Sequence, residues 1–372
     1  MIRVAVIGGL FHSGGKKSLV MEYYRHIDRT QVQMDIICNS DSNSIPYDEW
    51  PELGGRVFVV PSNRKMWSHL IAVYKILKNG NYDIVHGYDN TLNVFAMVLA
   101  KMAGINVRIN ESLSMAHKGE LKTFAKMILK KFSKLCSTHY MANGVEGGRF
   151  QFGEKAFNSG KVAVFKSAIN IAENAYNEPL RNATREKHGW QDSVIYGFIG
   201  RFEMQKNPLF MIKIFNEIAK RQENARLVII GHGSMEGKMN SLIEELGIGD
   251  KVENLGRTEN IKQYYNAFDA FLLPSLYEGL PVVGVESQAC GLPIFFSDEI
   301  PPESSACEIG RFISLKDSPA KWAEQIIPFV NNNIPVRRSY SQELIDNGFD
   351  SNIEAGKLLK YYMDAIKERK TV

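Results

Sequence analysis

Cysteine is scarce in this chain, and no cysteine lies near another. Cys38, Cys136, Cys290 and Cys307 are scattered through 372 residues, with no CxxC pair and no metal-like spacing. That pattern argues against a disulfide framework or a structural zinc site, and the thiols read as reduced, as in a cytoplasmic protein. Long apolar runs are missing too: none approaches the roughly 18 residues a spanning helix needs. The opening MIRVAVIGGL has no basic leader, full apolar stretch or cleavage site, so it reads as a buried strand running into glycines and not as a signal peptide. Charge of either sign is nearly balanced. The formal net charge of +4 is too small to argue for a nucleic-acid partner, and none is expected. No short repeat suggests a solenoid. The glycines of residues 8–15 follow neither the G-x-G-x-x-G dinucleotide spacing nor a Walker loop. No D-x-D pair follows a strand where it would hold a metal against a diphosphate.

What is present is alternation. Apolar runs at Val4–Ile7, Val32–Cys38, Arg56–Val60, Tyr82–His86 and Asn106–Asn110 read as strands, separated by helical patterns at Lys17–Arg25, Ser68–Leu77 and Asn93–Ala103. Lys161–Phe165 gives one more strand. The polar stretch near Asn170–Arg185 reads as a domain connection. The alternation then restarts, with strands at Val194–Ile199, Arg226–Ile230, Val252–Leu255, 270–273 and Ile294–Phe296. The length suits two domains, and two such series predict two α/β, Rossmann-like domains with parallel sheets, residues 1–170 and 171–351. A final helix near Asn352–Arg369 is placed to pack back across the connection onto the first domain.

Ligands of parallel sheets gather at the C-terminal ends of strands, and several candidate residues fall there. In the second domain GRFEMQKNP, residues 200–208, follows the first strand. Its Arg201 and Lys206 are close enough to converge on one diphosphate, arginine as a planar fork and lysine as a point charge. Residues 274–293, PSLYEGLPVVGVESQACGLP, follow the strand at 270–273. Gly279 allows a tight approach, and Pro281 suits the first position of a helix. Glu278 should therefore lie in the loop and Glu286 about a turn and a half into the helix. Two acids flanking a helix start, whose free N–H groups favour an anion, suit a sugar attached to a phosphate. Gly231 and Gly233 form a GxG turn that would let backbone approach a base or ribose. In the first domain the glycine loop ends at Gly15, and His86 ends a strand facing the expected cleft.

Residues Lys118–Leu135 interleave six lysines with Leu121, Phe124, Ile128, Leu129, Phe132 and Leu135, and hold only one acid, Glu120. A basic amphipathic helix of this kind suits an anionic membrane surface, and equally a helix packing its apolar stripe on the sheet.

Together, GRFEMQKNP, the GxG at 231–233 and the E-x7-E of PSLYEGLPVVGVESQACGLP resemble the retaining GT-B glycosyltransferases of family 4. The resemblance is nearest the EpsF-like exopolysaccharide branch, where a glycine loop likewise leads into a YYRHID-like helix, here Tyr23–Asp28. It implies two Rossmann-like domains facing across a cleft and transfer of a sugar from a nucleotide diphosphate, expected to be UDP, to a saccharide or lipid-linked saccharide with retention. Carried over by position, it implies that Arg201 and Lys206 bind the diphosphate, Glu278 contacts the donor sugar and Glu286 holds the ribose hydroxyls. The backbone of Gly279 and Leu280 would approach sugar or phosphate, with Gly15 on the facing edge. It implies no metal or other cofactor, fixed cations serving the leaving group instead. The expected location is cytoplasmic, peripheral on the inner face of the membrane. The sequence departs from the family pattern at 107–114, where Glu111 and Leu113 stand in place of histidines, so His86 is a candidate by position alone. A nucleotide-sugar epimerase and a non-catalytic nucleotide-sugar-binding protein are the rival readings.

Overall fold

The computed structural model describes residues 1–11, 15–113, 127–132, 134–258, 260–333 and 337–370. The chain divides into two compact units, residues 1–168 with 350–372, and residues 169–349.

The first unit is built on a seven-stranded sheet. Its strands are β1 (Ile2–Gly9), β2 (Val32–Asn39), β3 (Val57–Val60), β4 (Ile84–Gly87), β5 (Val107–Ser112), β6 (His139–Ala142) and β7 (Val162–Val164). They lie in the order β3-β2-β1-β4-β5-β6-β7, every pair parallel. Strand β1 is apolar at successive positions because both faces are covered. Val4 and Val6 belong to a core with Leu19, Val20 and Tyr24 of the helix Gly15–His26. Ala5 and Ile7 point the other way, into a core with Val73 and Leu77 of the helix Met66–Asn79 and Met97 of the helix Asn93–Met102. The last helix, Ser351–Lys370, belongs to the first of these cores through Ala355, Leu358, Tyr362 and Ala365. Each large apolar side chain buried there contributes about 1.5–3 kcal/mol, enough to hold this helix to the first unit.

The second unit carries six parallel strands: β8 (Val194–Ile199), β9 (Ala225–Ile230), β10 (Val252–Asn254), β11 (Ala270–Leu273), β12 (Ile294–Ser297) and β13 (Gly310–Ile313). Their order is β10-β9-β8-β11-β12-β13. The chain builds outward from β8 on one side, then returns to start again at β11. The gap between β8 and β11 is therefore the topological switch point, where such sheets hold ligands.

The polar stretch expected to be a connection is ordered. Residues Glu178–His188 form a helix, capped at its start by Asn177, whose side chain accepts from Leu180 N–H, and ended by Gly189 in the left-handed conformation. Its polarity has an internal use. Arg181 and Arg185 both grip Asp269, at 2.5 and 3.0 Å, and donate to the carbonyls of Ala267 and Phe268 just before β11. Paired in this way, buried charges are tolerated.

Candidate active site

Strand β8 delivers the loop 200–207 to the switch point. Phe202 is its anchor, fully buried, with its N–H donating to His232 O at 2.9 Å and its carbonyl accepting from Met235 N–H. Glu203 accepts from both the N–H and the hydroxyl of Ser234, and those bonds hold its carboxyl below the usual range. Asn207 takes a left-handed turn (φ 52°) into Pro208, the first residue of the helix Pro208–Ala219. Strand β11 delivers the second loop, and Leu276 N–H donates to Gln205 O at 2.8 Å, tying the two together.

The side chains then form a continuous polar chain. Arg201 Nη2 donates to Gln205 Oε1 at 3.1 Å, and Gln205 Nε2 donates to Glu278 Oε2 at 3.2 Å and to Tyr277 O. Lys206 Nζ lies 2.6 Å from the other oxygen of Glu278, and both side chains are nearly enclosed. Arg201, Lys206 and Glu278 are thus brought together, through Gln205, which the motif reading passed over although it sits between the two cations. Glu286 lies in the helix Val282–Ala289, and its Oε2 accepts from the hydroxyl of Tyr265 at 2.7 Å. Burial pushes the Tyr265 hydroxyl far up, and the Glu286 carboxylate adds to the effect, so this tyrosine stays a donor. Nothing in the sequence near Tyr265 pointed to that role.

The glycines divide. Gly279 is half-buried at the mouth of its loop, while the Leu280 side chain is packed among Val282, Val285 and Ile169, leaving only its backbone for a ligand. At Gly231 and Gly233 the missing Cβ is needed for packing inside the protein. At Gly231 (φ +148°) an added Cβ would stand 1.8 Å from Gly200 O, and at Gly233 2.4 Å from Phe202 O. Their close approach is to the 200–203 loop, which they allow to seat.

In the first unit Gly15 opens its helix and is exposed. Residues 12–14 of its loop lie outside the described residues. Lys16 closes the loop base, donating to Gly8 O and to Asp89 Oδ1, both at 2.7 Å. His86 does not face open space. It is wholly buried, with Nε2 2.9 Å from Glu111 Oε2 and Nδ1 sharing hydrogen bonds with the hydroxyls of Tyr362 and Tyr88. Its register opposite Val6 and Ile109 turns the ring to the face that the last helix covers. This placement corrects its reading as a substrate-facing group, because the enclosing tyrosines leave no room for a ligand.

Among the described residues, no cluster of three or more His, Cys, Asp or Glu side chains is arranged to hold a metal ion, and no helix is long and apolar enough to cross a membrane. Of the lysine-rich stretch Lys118–Leu135, residues 118–126 and 133 lie outside the described residues. In the remainder Met127, Ile128, Phe132 and Leu135 are exposed, and Lys130 stacks over the Phe150 ring at 4.0 Å.

Residues 181–348 match the family described as glycosyl transferases group 1. EpsF of Bacillus subtilis (strain 168), a protein named as a glycosyltransferase, is 30% identical over 370 residues, 96% of this chain and 95% of that one. The UDP-Gal:alpha-D-GlcNAc-diphosphoundecaprenol alpha-1,3-galactosyltransferase of Escherichia coli is 23% identical over 297 residues, 76% of each. The crystal structure of Anabaena HepE in complex with UDP-glucose superposes with a TM-score of 0.79, at 13% identity, over 98% of this chain and 100% of that one. With the family match, the whole-length relative and the fold in agreement, the chain belongs to the glycosyl transferases group 1 family: it is a glycosyltransferase, built on the GT-B fold of two Rossmann-like units.

Proposed function

We propose that this glycosyltransferase moves a hexose-type sugar from a UDP-linked donor to a saccharide or lipid-linked saccharide, with retention at the anomeric carbon, in the synthesis of a cell-surface polysaccharide. The observation that carries the reading is the Arg201–Gln205–Glu278–Lys206 chain at the switch point between β8 and β11. It sets two fixed cations beside an acid that can grip sugar hydroxyls. When the bond between sugar and diphosphate breaks, negative charge grows on the departing phosphate. Arg201, Lys206 and the N–H groups at the start of helix Val282–Ala289 are placed to stabilise that charge, Lys206 once it turns from Glu278 to the phosphate. No metal is required in this account. Glu286, steadied by Tyr265, holds the ribose. The UDP donor is further supported by the UDP-glucose bound in HepE and by the UDP-Gal named for the Escherichia coli relative, and the lipid-linked acceptor by that relative's diphosphoundecaprenol substrate. The exposed apolar side chains at 127–135, set among Lys130, Lys131 and Lys134, suit a peripheral seat on an anionic membrane.

The test is a mass-spectrometric screen of nucleotide sugars with simple saccharide and lipid-linked acceptors, followed by assignment of the product's anomeric configuration. Donor consumption that requires an acceptor, with the donor's configuration kept, is expected. Epimer formation from donor alone, or binding without consumption across the whole panel, would sink the proposal.

A further inference from the structure

The first sheet has a switch point of its own. Strand β1 carries β2 and β3 on one side and β4 to β7 on the other, so the chain starts afresh where β4 joins β1. Sheets of this kind hold ligands at such a join, and the donor chemistry proposed above draws on no residue there. Asp89 lies two residues beyond the end of β4, and Lys16 donates to its Oδ1 at 2.7 Å. Its Oδ2 accepts no hydrogen bond among the described residues. Gly9, in the left-handed region at φ +54°, makes room for that oxygen, because a Cβ there would stand 1.8 Å from it. Solvent still reaches the pair, Asp89 being 16% and Lys16 24% exposed. The backbone behind Asp89 is fixed: its N–H donates to Asn93 Oδ1, and Asn93 Nδ2 donates to Gly87 O, Asn110 Oδ1 and Glu111 O. Asp89 also lines a pocket walled by Ile7, Val73, Phe95 and Leu99, with Asn63 and His69 as further polar members. Asn39 ends β2 on the sheet face it shares with Ile37 and Ile7. It is 1% exposed, and neither atom of its side-chain amide has a partner. Buried amides are ordinarily paired, so this one marks a place for a polar ligand. Its neighbour Cys38 lies in the fields of both Lys16 and Asp89.

We infer that Asp89 selects the acceptor: with its pocket it seats an uncharged sugar unit, Oδ2 accepting from the hydroxyls and the apolar wall covering a C–H face. Lys16 acts through Asp89 as a positioning residue. The inference rests on the proposed saccharide acceptor and narrows it to a sugar with no acidic group at this seat. A sugar shows hydroxyl donors around its edge and carbon-bound hydrogens on its faces, and a carboxylate beside an apolar wall complements both. Charge decides the class. Lys16 and Asp89 offset each other, and among the described residues no lysine or arginine lines the pocket. A uronate or a phosphorylated sugar would therefore meet the Asp89 carboxylate with the one nearby cation already spent.

The test presents the full chain with the methyl glycosides of glucose, galactose and N-acetylglucosamine, and with that of glucuronic acid. Saturation-transfer NMR reads binding, and consumption of UDP-glucose or UDP-galactose reads turnover. At least one neutral glycoside is expected to bind, and the glucuronide to give no signal. Asp89→Asn should weaken the neutral glycoside about tenfold or more. With Lys16 released, the same variant should reverse the preference and favour the glucuronide, while UDP binding and thermal unfolding stay as in the parent. Lys16→Met should raise the KM of the neutral acceptor about fivefold, and Lys16→Arg should restore it. A pair that only pins the glycine loop would change stability without moving the preference between neutral and acidic sugars. Unchanged affinity and unchanged preference in Asp89→Asn would overturn the inference, and so would a parent that binds none of the glycosides. Glycoside binding of the expected kind with no nucleotide sugar consumed would overturn the proposed function and leave the seat standing. Transfer to a neutral glycoside that Asp89→Asn leaves untouched would do the reverse.

Discussion

Lys206 Nζ and Glu278 Oε1 meet at 2.6 Å, although they hang from loops that follow different strands. Before any donor arrives, the lysine proposed to bind a phosphate already has an anion beside it. Removing the acid should therefore separate two events. Glu278→Ala is expected to tighten UDP binding about fivefold, because Lys206 is released, while transfer falls about 10²-fold as the sugar loses its contact. Calorimetry of UDP beside steady-state turnover checks both. Loss of UDP affinity in that variant would count against a phosphate role for Lys206.

The two cations carry the leaving group in this scheme. Arg201→Ala and Lys206→Ala should each lower kcat about 10²-fold or more, with a smaller effect on donor KM. Single-turnover measurements at saturating donor would show it. Near-normal transfer in both variants would remove the leaving-group assignment.

Tyr265 acts through Glu286. Its hydroxyl fixes one carboxylate oxygen at 2.7 Å and so orients the group proposed to hold the ribose. Tyr265→Phe is expected to raise donor KM roughly fivefold, close to 1 kcal/mol, with kcat little changed. A fall in kcat at constant KM would instead give the tyrosine a part in the chemical step.

Asp35 ties down the first sheet. It is buried against the Arg56 guanidinium at 2.6 Å, the Arg56 N–H and the Tyr82 hydroxyl. Burial pushes its carboxyl up, but these partners together outweigh it and hold the group below the usual aspartate range. A depressed folded-state value means the stabilisation is fully present above the unfolded aspartate pKa, about 3.9. It is lost as the pH falls through the folded value. Asp35→Ala should cost about 2–3 kcal/mol at neutral pH and flatten the thermal-stability profile below about pH 4. An unchanged acid limb would locate the sensitivity elsewhere.

Much of the sheet architecture was readable because central parallel strands are apolar on both faces, as in VIYGFI of β8 and AFLL of β11. Two short strands, β6 and β13, were not, although the edge strands β3, β7 and β10 were. HYMA of β6 and GRFI of β13 are four residues long and interrupted by His139 or Arg311, and only their neighbours make them strands. The stretch 170–185 reads as a connection because its polar residues look solvated, whereas most of the helix Glu178–His188 lies in it and two arginines there are spent on Asp269. At the site, Arg201, Lys206, Glu278 and Glu286 were visible as residue types in fixed spacing. Their contacts were not, since the Lys206–Glu278 pair exists only once β8 and β11 are neighbours. His86 shows the converse: a strand-end position suggested access, but which way the ring turns depends on a helix almost at the other end of the chain.

That helix also bears on the order of assembly. The second unit is one continuous segment, whereas the first needs residues from both ends of the chain. During synthesis the unit that starts first is completed last: the faces of Ile84 and Ile109 wait for Leu358 and Tyr362, while residues 169–349 have everything they need earlier. Nascent chains should therefore show a protease-resistant second unit before the first becomes resistant.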